Sequence, residues 1–271
     1  MQKTNIIFLG NTKYSKIGVE IVNSTFPLSA IVTIPDSPVA KWGTEKNIPV
    51  ITAEKFDQGI INTLSNLNPD FLIVEDYGLI LPKEVLELPK YAPLNVHQSL
   101  LPKYRGPSPV PTTILSGDSL SGVTIIKMTD EVDAGDILAQ SEYKLADNET
   151  TDSLLTVLNT LGGKLIVEVI KQYLTGSEKL TPQGENKASY TKKLHKEDGY
   201  FNINNPPSPE ELDRKIRAYF PWPGVWTKWE KKIVKFLPGN KIQMEGKKAV
   251  SLKDFLNGYP NFPKIKLEGT N

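Results

Sequence analysis

The chain has no cysteine and only two histidines among its 271 residues. The first absence excludes disulfides and thiolate metal sites and suits a reducing compartment. The second excludes a histidine-rich zinc centre while leaving carboxylate-held Mg²⁺ open, and no metal is expected. Long hydrophobic runs are missing as well. The amino-terminal "MQKTNIIFLGN" is too short for a signal peptide or a membrane span, and no other stretch is read as long enough, so a cytoplasmic protein without membrane contact is expected. There is no internal repeat and no low-complexity segment. "FLGNTKYSKIG" lacks the Gly-x-Gly-x-x-Gly spacing, so a dinucleotide site is not expected, and Gly10 is read as easing a strand-to-helix turn.

Strong net charge is also absent, at +1, but the average hides a split. Residues 1–187 carry 16 Lys and Arg against 22 Asp and Glu, a net −6, and residues 188–271 carry 16 against 9, a net +7. A basic second part fits a polyanionic partner, and it equally fits a chance distribution of surface lysines.

What is present first is alternation. "TNIIFLG", "LSAIVTIPD", "PDFLIVEDYG", "APLNVHQS" and "SGVTIIKMTD" read as strands, while "SKIGVEIVNSTF", "GIINTLSNLN", "PKEVLELP" and "VPTTILSG" read as helices. "DSLLTVLNTLGGKLIVEVIKQYLTG" is a long amphipathic helix with a Gly-Gly pair inside. Strands separated by helices predict an α/β, Rossmann-like, mostly parallel sheet covered on both faces. At "TPQGENKASY" Pro, Gly and polar residues suggest a linker. Beyond it, one helix, "SPEELDRKIRAYF", and short β-type runs broken by Gly and Pro predict a small OB-like β-barrel. The domains expected are therefore 1–187 and 188–271. Phe220 and Trp222 in "RAYFPWPGVW" are read as an aromatic core cluster.

Successive side chains of a strand alternate, so Asn95 and His97 in "APLNVHQ" share a face where open α/β sheets bind ligands, beyond the carboxyl ends of the strands. The later "DEVDAGDILAQ" adds Asp130, Asp133 and Asp136 around Gly135. An amide, an imidazole and a carboxylate converging there suit acyl transfer: the amide steadies an oxyanion, the imidazole donates to it or moves protons, and the carboxylate orients the imidazole. No Ser-His-Asp arrangement or cysteine nucleophile stands nearby, so direct transfer is the natural form. The same residues are equally suited to closing a buried strand end and capping turns.

"NVHQSLLPKYRGPSPVPTTILSGDSLSGVTIIKMTDEVDAGDIL", together with "DYGLILP" at 76–82, resembles the formyltransferase family that uses 10-formyltetrahydrofolate. The resemblance implies that Asn95, His97 and Asp133 are catalytic and that Asp136 is structural. It implies that Ser99, Leu100, Leu101 and Pro102, with Tyr77, Gly78 and Leu79, lie along the folate. Lys103, Tyr104 and Arg105 are expected to shape the adjoining loop. "ASYTKKLHKEDG", "IRAYFPWPGVWT" and "GKKAVSLKDFLNG" look like the carboxyl-terminal part of the methionyl-tRNA formyltransferase branch. The partners so implied are methionyl-tRNA and the folate donor, and the expected state is a monomer. A nucleotide-linked amino sugar is the alternative acceptor. "PDSPVAKWGTEKNIPV" is shorter than the family's RNA-reaching loop and leaves Lys41 and Trp42, with Arg217, as the candidate tRNA contacts. "IVEDYG" places Glu75 and Asp76 where the family carries small or apolar residues.

Overall fold

The structure, a computed structural model, describes residues 4–263, 265 and 267. Strands β1 (Ile6–Leu9), β2 (Ala30–Thr33) and β4 (Phe71–Val74) are buried at every position. Unbroken apolar runs behave this way when both faces of a parallel sheet are covered. With β3 (Val50–Thr52), β5 (Ala92–His97), β6 (Leu120–Lys127) and β7 (Ile137–Lys144) they form one seven-stranded sheet in the order β3-β2-β1-β4-β5-β6-β7. The first five strands of that order pair in parallel, and β6 and β7 pair antiparallel. The mostly parallel sheet is as expected. Strands β3 and β7 are additions to the sequence reading, one too short to show a period and the other an edge strand rich in polar residues.

Alternation along β1 splits its side chains between two cores. Ile6 and Phe8 lie with Val19 and Val22 of α1 (Ser15–Thr25) and with Ile166 and Ile170 of α6 (Thr151–Thr175). Ile7 and Leu9 lie with Leu64 of α3 (Gln58–Asn66) and Val85 of α4 (Lys83–Leu86). Helix α6 closes on β5 because Gly162 has no side chain: a Cβ there would stand 2.5 Å from Val96 Cγ1. This helix is long and apolar enough to cross a membrane by length and composition, which corrects the reading that no stretch is. Half of its apolar window is buried inside the protein, as in a core helix.

The segment after Asp36 is a helix, α2 (Pro38–Glu45), rather than a loop. Ser37 Oγ accepts a hydrogen bond from Ala40 N at 2.9 Å, and Pro38 occupies the first turn, a favoured start. The phase of this helix turns Lys41 outward and Trp42 into the core with Phe8 and Ile31, leaving the indole 4% exposed. The expectation that Trp42 contacts RNA is corrected accordingly.

The chain forms two compact units. One comprises Met1–Pro107, Leu120–Lys144 and Leu155–Thr191, and the other Ser108–Ser119, Leu145–Leu154 and Lys192–Asn271. This differs from a division at 187/188. Residues 188–191 stay with the first unit, and two earlier segments join the second. In the second unit α5 (Pro109–Leu115) packs on α7 (Pro209–Ala218), and Thr151 Oγ1 donates to Ala218 O at 2.6 Å. A capping box opens α7, with Ser208 Oγ accepting from Glu211 N at 3.2 Å and Glu211 Oε2 accepting from Ser208 N at 3.0 Å. The expected small β domain is a four-stranded antiparallel sheet of β8 (Val225–Trp229), β9 (Lys232–Leu237), β10 (Lys241–Met244) and β11 (Val250–Ser251), followed by α8 (Leu252–Gly258). Phe220 is half-buried but Trp222 is 56% exposed, so the aromatic-core reading fails for Trp222.

Candidate active site

Strand β5 delivers Asn95 and His97 to the carboxyl edge of the sheet, opposite Ile126 and Thr124 of β6. Asp133 arrives from the loop between β6 and β7 with a left-handed φ of +51°. Its Oδ1 accepts from Asn95 Nδ2 at 3.2 Å, and its Oδ2 accepts from Gly106 N at 2.7 Å. His97 is 5% exposed, with Nδ1 3.6 Å from Asp133 Oδ1 and Nε2 3.0 Å from Tyr104 O. A carbonyl can only accept, so that contact puts a proton on Nε2. The three residues are therefore together, but the imidazole is oriented by the Tyr104 carbonyl, and the carboxylate bonds Asn95 and a backbone amide. Asp136 gives its carbonyl to Lys127 N at 3.0 Å.

The loop after β5 is folded by its own polar groups. Ser99 is 1% exposed, and its Oγ donates to Lys103 O at 2.6 Å. Leu101 is 3% exposed and donates its N–H to Thr124 Oγ1 at 3.1 Å. Thr124 Oγ1 donates to Ser99 O at 2.6 Å and accepts from Gln140 Nε2 at 2.9 Å, and Gln140 Nε2 also reaches Leu101 O at 2.8 Å. The Ser99 side chain and the Leu101 backbone are thus committed to the loop, while Leu100 and Pro102 are partly exposed. Thr124 was beyond sequence reasoning because its hydroxyl serves residues more than twenty positions away.

Next along the edge, Tyr77 is buried, with its OH toward Ala53 O at 3.4 Å and its carbonyl bonded by Asn11 Nδ2. Gly78 is exposed at φ +85° and Leu79 half-exposed. Leu79, Ile80 and Pro82 line an open groove of about 320 Å³ with Glu54, Lys55 and Phe56. Asn95, His97 and Asp133 are not among its lining residues.

Glu75 and Asp76 follow β4 in an unusual setting. Glu75 is fully buried against Gly18, where a Cβ would stand 1.7 Å from its Oε2, a space only glycine leaves free. Neither oxygen has a hydrogen-bond partner, and burial, aided by the neighbouring Asp76 charge, raises its pKa well above the usual carboxylate range. Burial also pushes Asp76 up to about 6, against the pull of hydrogen bonds from Thr12, Asn159 and Gln98.

In the second unit the Arg217 guanidinium is engaged, donating to Asp213 Oδ2 at 2.7 Å and Glu149 O at 3.2 Å. Trp222 and Tyr200 are exposed aromatics there, and Lys196 lies over the Trp226 ring at 5.9 Å. Among the described residues no group of three or more His, Asp or Glu side chains is placed to share a metal ion.

The profile of the family described as "Formyl transferase" matches residues 27–170, and that of "Formyl transferase, C-terminal domain" matches residues 193–240. The chain is 37% identical over 245 residues to a protein of Chloroflexus aggregans named methionyl-tRNA formyltransferase, covering 86% of this chain and 79% of that one. It is 29% identical over 314 residues to a protein of the same name from Dehalococcoides mccartyi, covering 98% and 99%. Its fold is similar to that of a sugar N-formyltransferase from a Shewanella species, with a TM-score of 0.70, 15% identity, and coverage of 87% of this chain and 97% of that one. The chain, with its two matching segments in order and Asn95, His97 and Asp133 inside the first, belongs to the formyl transferase family.

Proposed function

We propose that this protein transfers the formyl group of 10-formyltetrahydrofolate to the α-amino group of methionyl-tRNA, the step that prepares the initiator for translation. The observation that carries this is the nearly full-length likeness to methionyl-tRNA formyltransferases, joined to an amide, an imidazole and a carboxylate within hydrogen-bonding or ionic reach at the sheet edge. The folate supplies the activated carbon, and the protein supplies orientation and electrostatics. The groove lined by Phe56, Leu79, Ile80 and Pro82, with Glu54 and Lys55 as its charged residues, suits an aromatic donor.

The neutral amine attacks the formyl carbon directly. Asn95 spends one Nδ2 hydrogen on Asp133 and offers the other to the oxygen on which negative charge develops. His97, with its Nε2 proton held by Tyr104, has its Nδ1 lone pair free to take the proton the amine must lose. The Asp133 carboxylate, 3.6 Å away, stabilises the imidazolium so formed. The proton then passes to the departing folate nitrogen, so that the balance is one formyl group moved one way and one proton the other. Residues 188–271, net +7, hold the tRNA through phosphates, and the protein acts as a monomer in the cytoplasm.

The deciding experiment offers 10-formyltetrahydrofolate with charged initiator tRNA or with a nucleotide-linked amino sugar. Formylation of the tRNA alone is expected. Formylation of the sugar alone, or of neither, overturns the reading.

A further inference from the structure

Residues 181–191 have the composition of a tether, yet they are bonded to the first unit along their length. Ile137 and Thr181 exchange two backbone hydrogen bonds of 2.9 Å. Arg105 N donates to Ser189 O at 2.8 Å, and Thr191 N donates to Arg105 O at 2.7 Å. Ser189 also donates its N–H to Pro102 O at 3.2 Å and accepts from Tyr104 N on its Oγ at 2.9 Å.

Between these ends sits Gln183, whose side-chain amide is fully used. Its Oε1 accepts from Arg105 Nε at 3.0 Å and Nη2 at 2.9 Å. Its Nε2 donates to Asp133 O at 2.8 Å and Gly135 O at 2.7 Å. A guanidinium has only donors and two carbonyls have only acceptors, so the amide fits one way round. Arg105, 2% exposed, completes its five donors on Glu185 Oε1 at 2.8 Å, Glu185 Oε2 at 3.1 Å and Tyr190 OH at 3.3 Å.

The neighbours of Arg105 in the chain touch the chemistry. Tyr104 O holds His97 Nε2, and Gly106 N holds Asp133 Oδ2. Gln183 therefore grips the Asp133 backbone directly and anchors the tripeptide that grips both the imidazole and the carboxylate. Asp133 needs such a grip, because a left-handed φ is costly for a residue with a Cβ.

We propose that Gln183 is a positioning residue for formyl transfer, holding the Asp133 carboxylate in register with Asn95 and His97 through its two hydrogen bonds to the Asp133–Gly135 backbone. This rests on the assignment of those three residues under the proposed function. Residues 181–191 are then part of the catalytic apparatus.

Gln183→Glu separates this role from simple anchoring of the segment. The variant keeps oxygen acceptors toward Arg105 but sets a carboxylate oxygen against two carbonyls. If Gln183 only fastens the segment to Arg105, Gln183→Glu works normally and Gln183→Met fails. If Gln183 positions Asp133, both fail alike. We expect both to lower kcat by about 10- to 100-fold, since misplacement by about 1 Å costs on this scale. The KM for folate should stay within about 3-fold, because a lost transition-state alignment lowers kcat rather than ground-state binding.

A second measurement needs no turnover. With only two histidines, the imidazole nitrogen signals of His97 separate from those of His195 by NMR. In Gln183→Glu the His97 signals should move and the His195 signals should not. Turnover by Gln183→Glu within about twofold of the natural protein, unmoved His97 signals, or a loss of kcat matched by loss of folded protein overturns the inference. A natural protein that formylates no tRNA sinks the functional reading instead, so the two failures are distinguishable.

Discussion

Asn95 and Asp133, 38 residues apart, are joined by a 3.2 Å hydrogen bond from the amide to the carboxylate. In the proposed mechanism the second amide hydrogen serves the substrate oxygen. Asn95→Ala and His97→Ala should each lower turnover by about 10²-fold or more, the cost of losing one aligned donor or proton carrier. Folate binding, followed by fluorescence titration, should be largely kept. Near-normal steady-state turnover by both variants would remove these residues from the mechanism.

Asp133→Asn should be far more damaging than Asp136→Ser once equal folding has been checked. The substituted amide would face the Asn95 donor and lose the charge opposite His97, whereas Asp136 contributes its backbone carbonyl. An inactive Asp136 variant beside an active Asp133→Asn would show that the wrong aspartate has been chosen.

Stability should fall as pH rises through the range set by Glu75 and Asp76. Both carboxyls have raised values in the folded chain. Below the ordinary carboxylate range both folded and unfolded forms are protonated and the contribution is intact. For Asp76 it is lost from 3.8 to about 6, as the unfolded chain releases a proton that the folded chain retains, and Glu75 extends the loss further upward. Glu75→Gln should flatten this slope in melting curves taken from about pH 4 to pH 8. An unchanged slope would mean that Glu75 finds a partner or stays ionised.

Trp42→Ala should unfold the protein before it affects RNA. A buried aromatic ring lost from a core costs about 3–5 kcal/mol, and Trp42 is 4% exposed. Its melting temperature should drop sharply. A variant as stable as the natural chain but weakened for tRNA would restore Trp42 as a contact.

Affinity for tRNA should fall steeply with salt, by a slope of about 0.7 to 0.9 per phosphate contact. The basis is the +7 charge of residues 188–271. Folate binding should change much less. A salt-independent tRNA affinity would point away from phosphate contacts and toward the exposed rings of Trp222 and Tyr200.

The parallel sheet was legible in the sequence because β1, β2 and β4 are unbroken apolar runs closed by Gly or Pro. The Asn95 and His97 pair was legible because strand alternation places both on one face. Trp42 was misread because an aromatic beside a lysine has no face until the helix phase is known. Gln183 left no trace at all: a hydrogen bond across 50 residues has no periodicity, and its surroundings have the composition of a tether. The raised carboxyls of Glu75 and Asp76 depend on what packs over them, and the Glu75 carboxyl fits only because residue 18, far away in the sequence, is glycine.

The dependence of Asp133 on Gln183 sets an order of events during synthesis. All three members of the trio, with Tyr104 and Gly106 that bond them, have been translated by residue 133, but Gln183 and the segment that anchors the 104–106 tripeptide appear only at 183–191. At about 5–20 residues per second the ribosome needs roughly 3–10 s to add that stretch. For that interval the nascent chain carries its reactive groups without the clamp that aligns them. A chain stopped just before residue 183 would carry Asn95, His97 and Asp133 without the hydrogen bonds that Gln183 makes to Asp133 and Gly135.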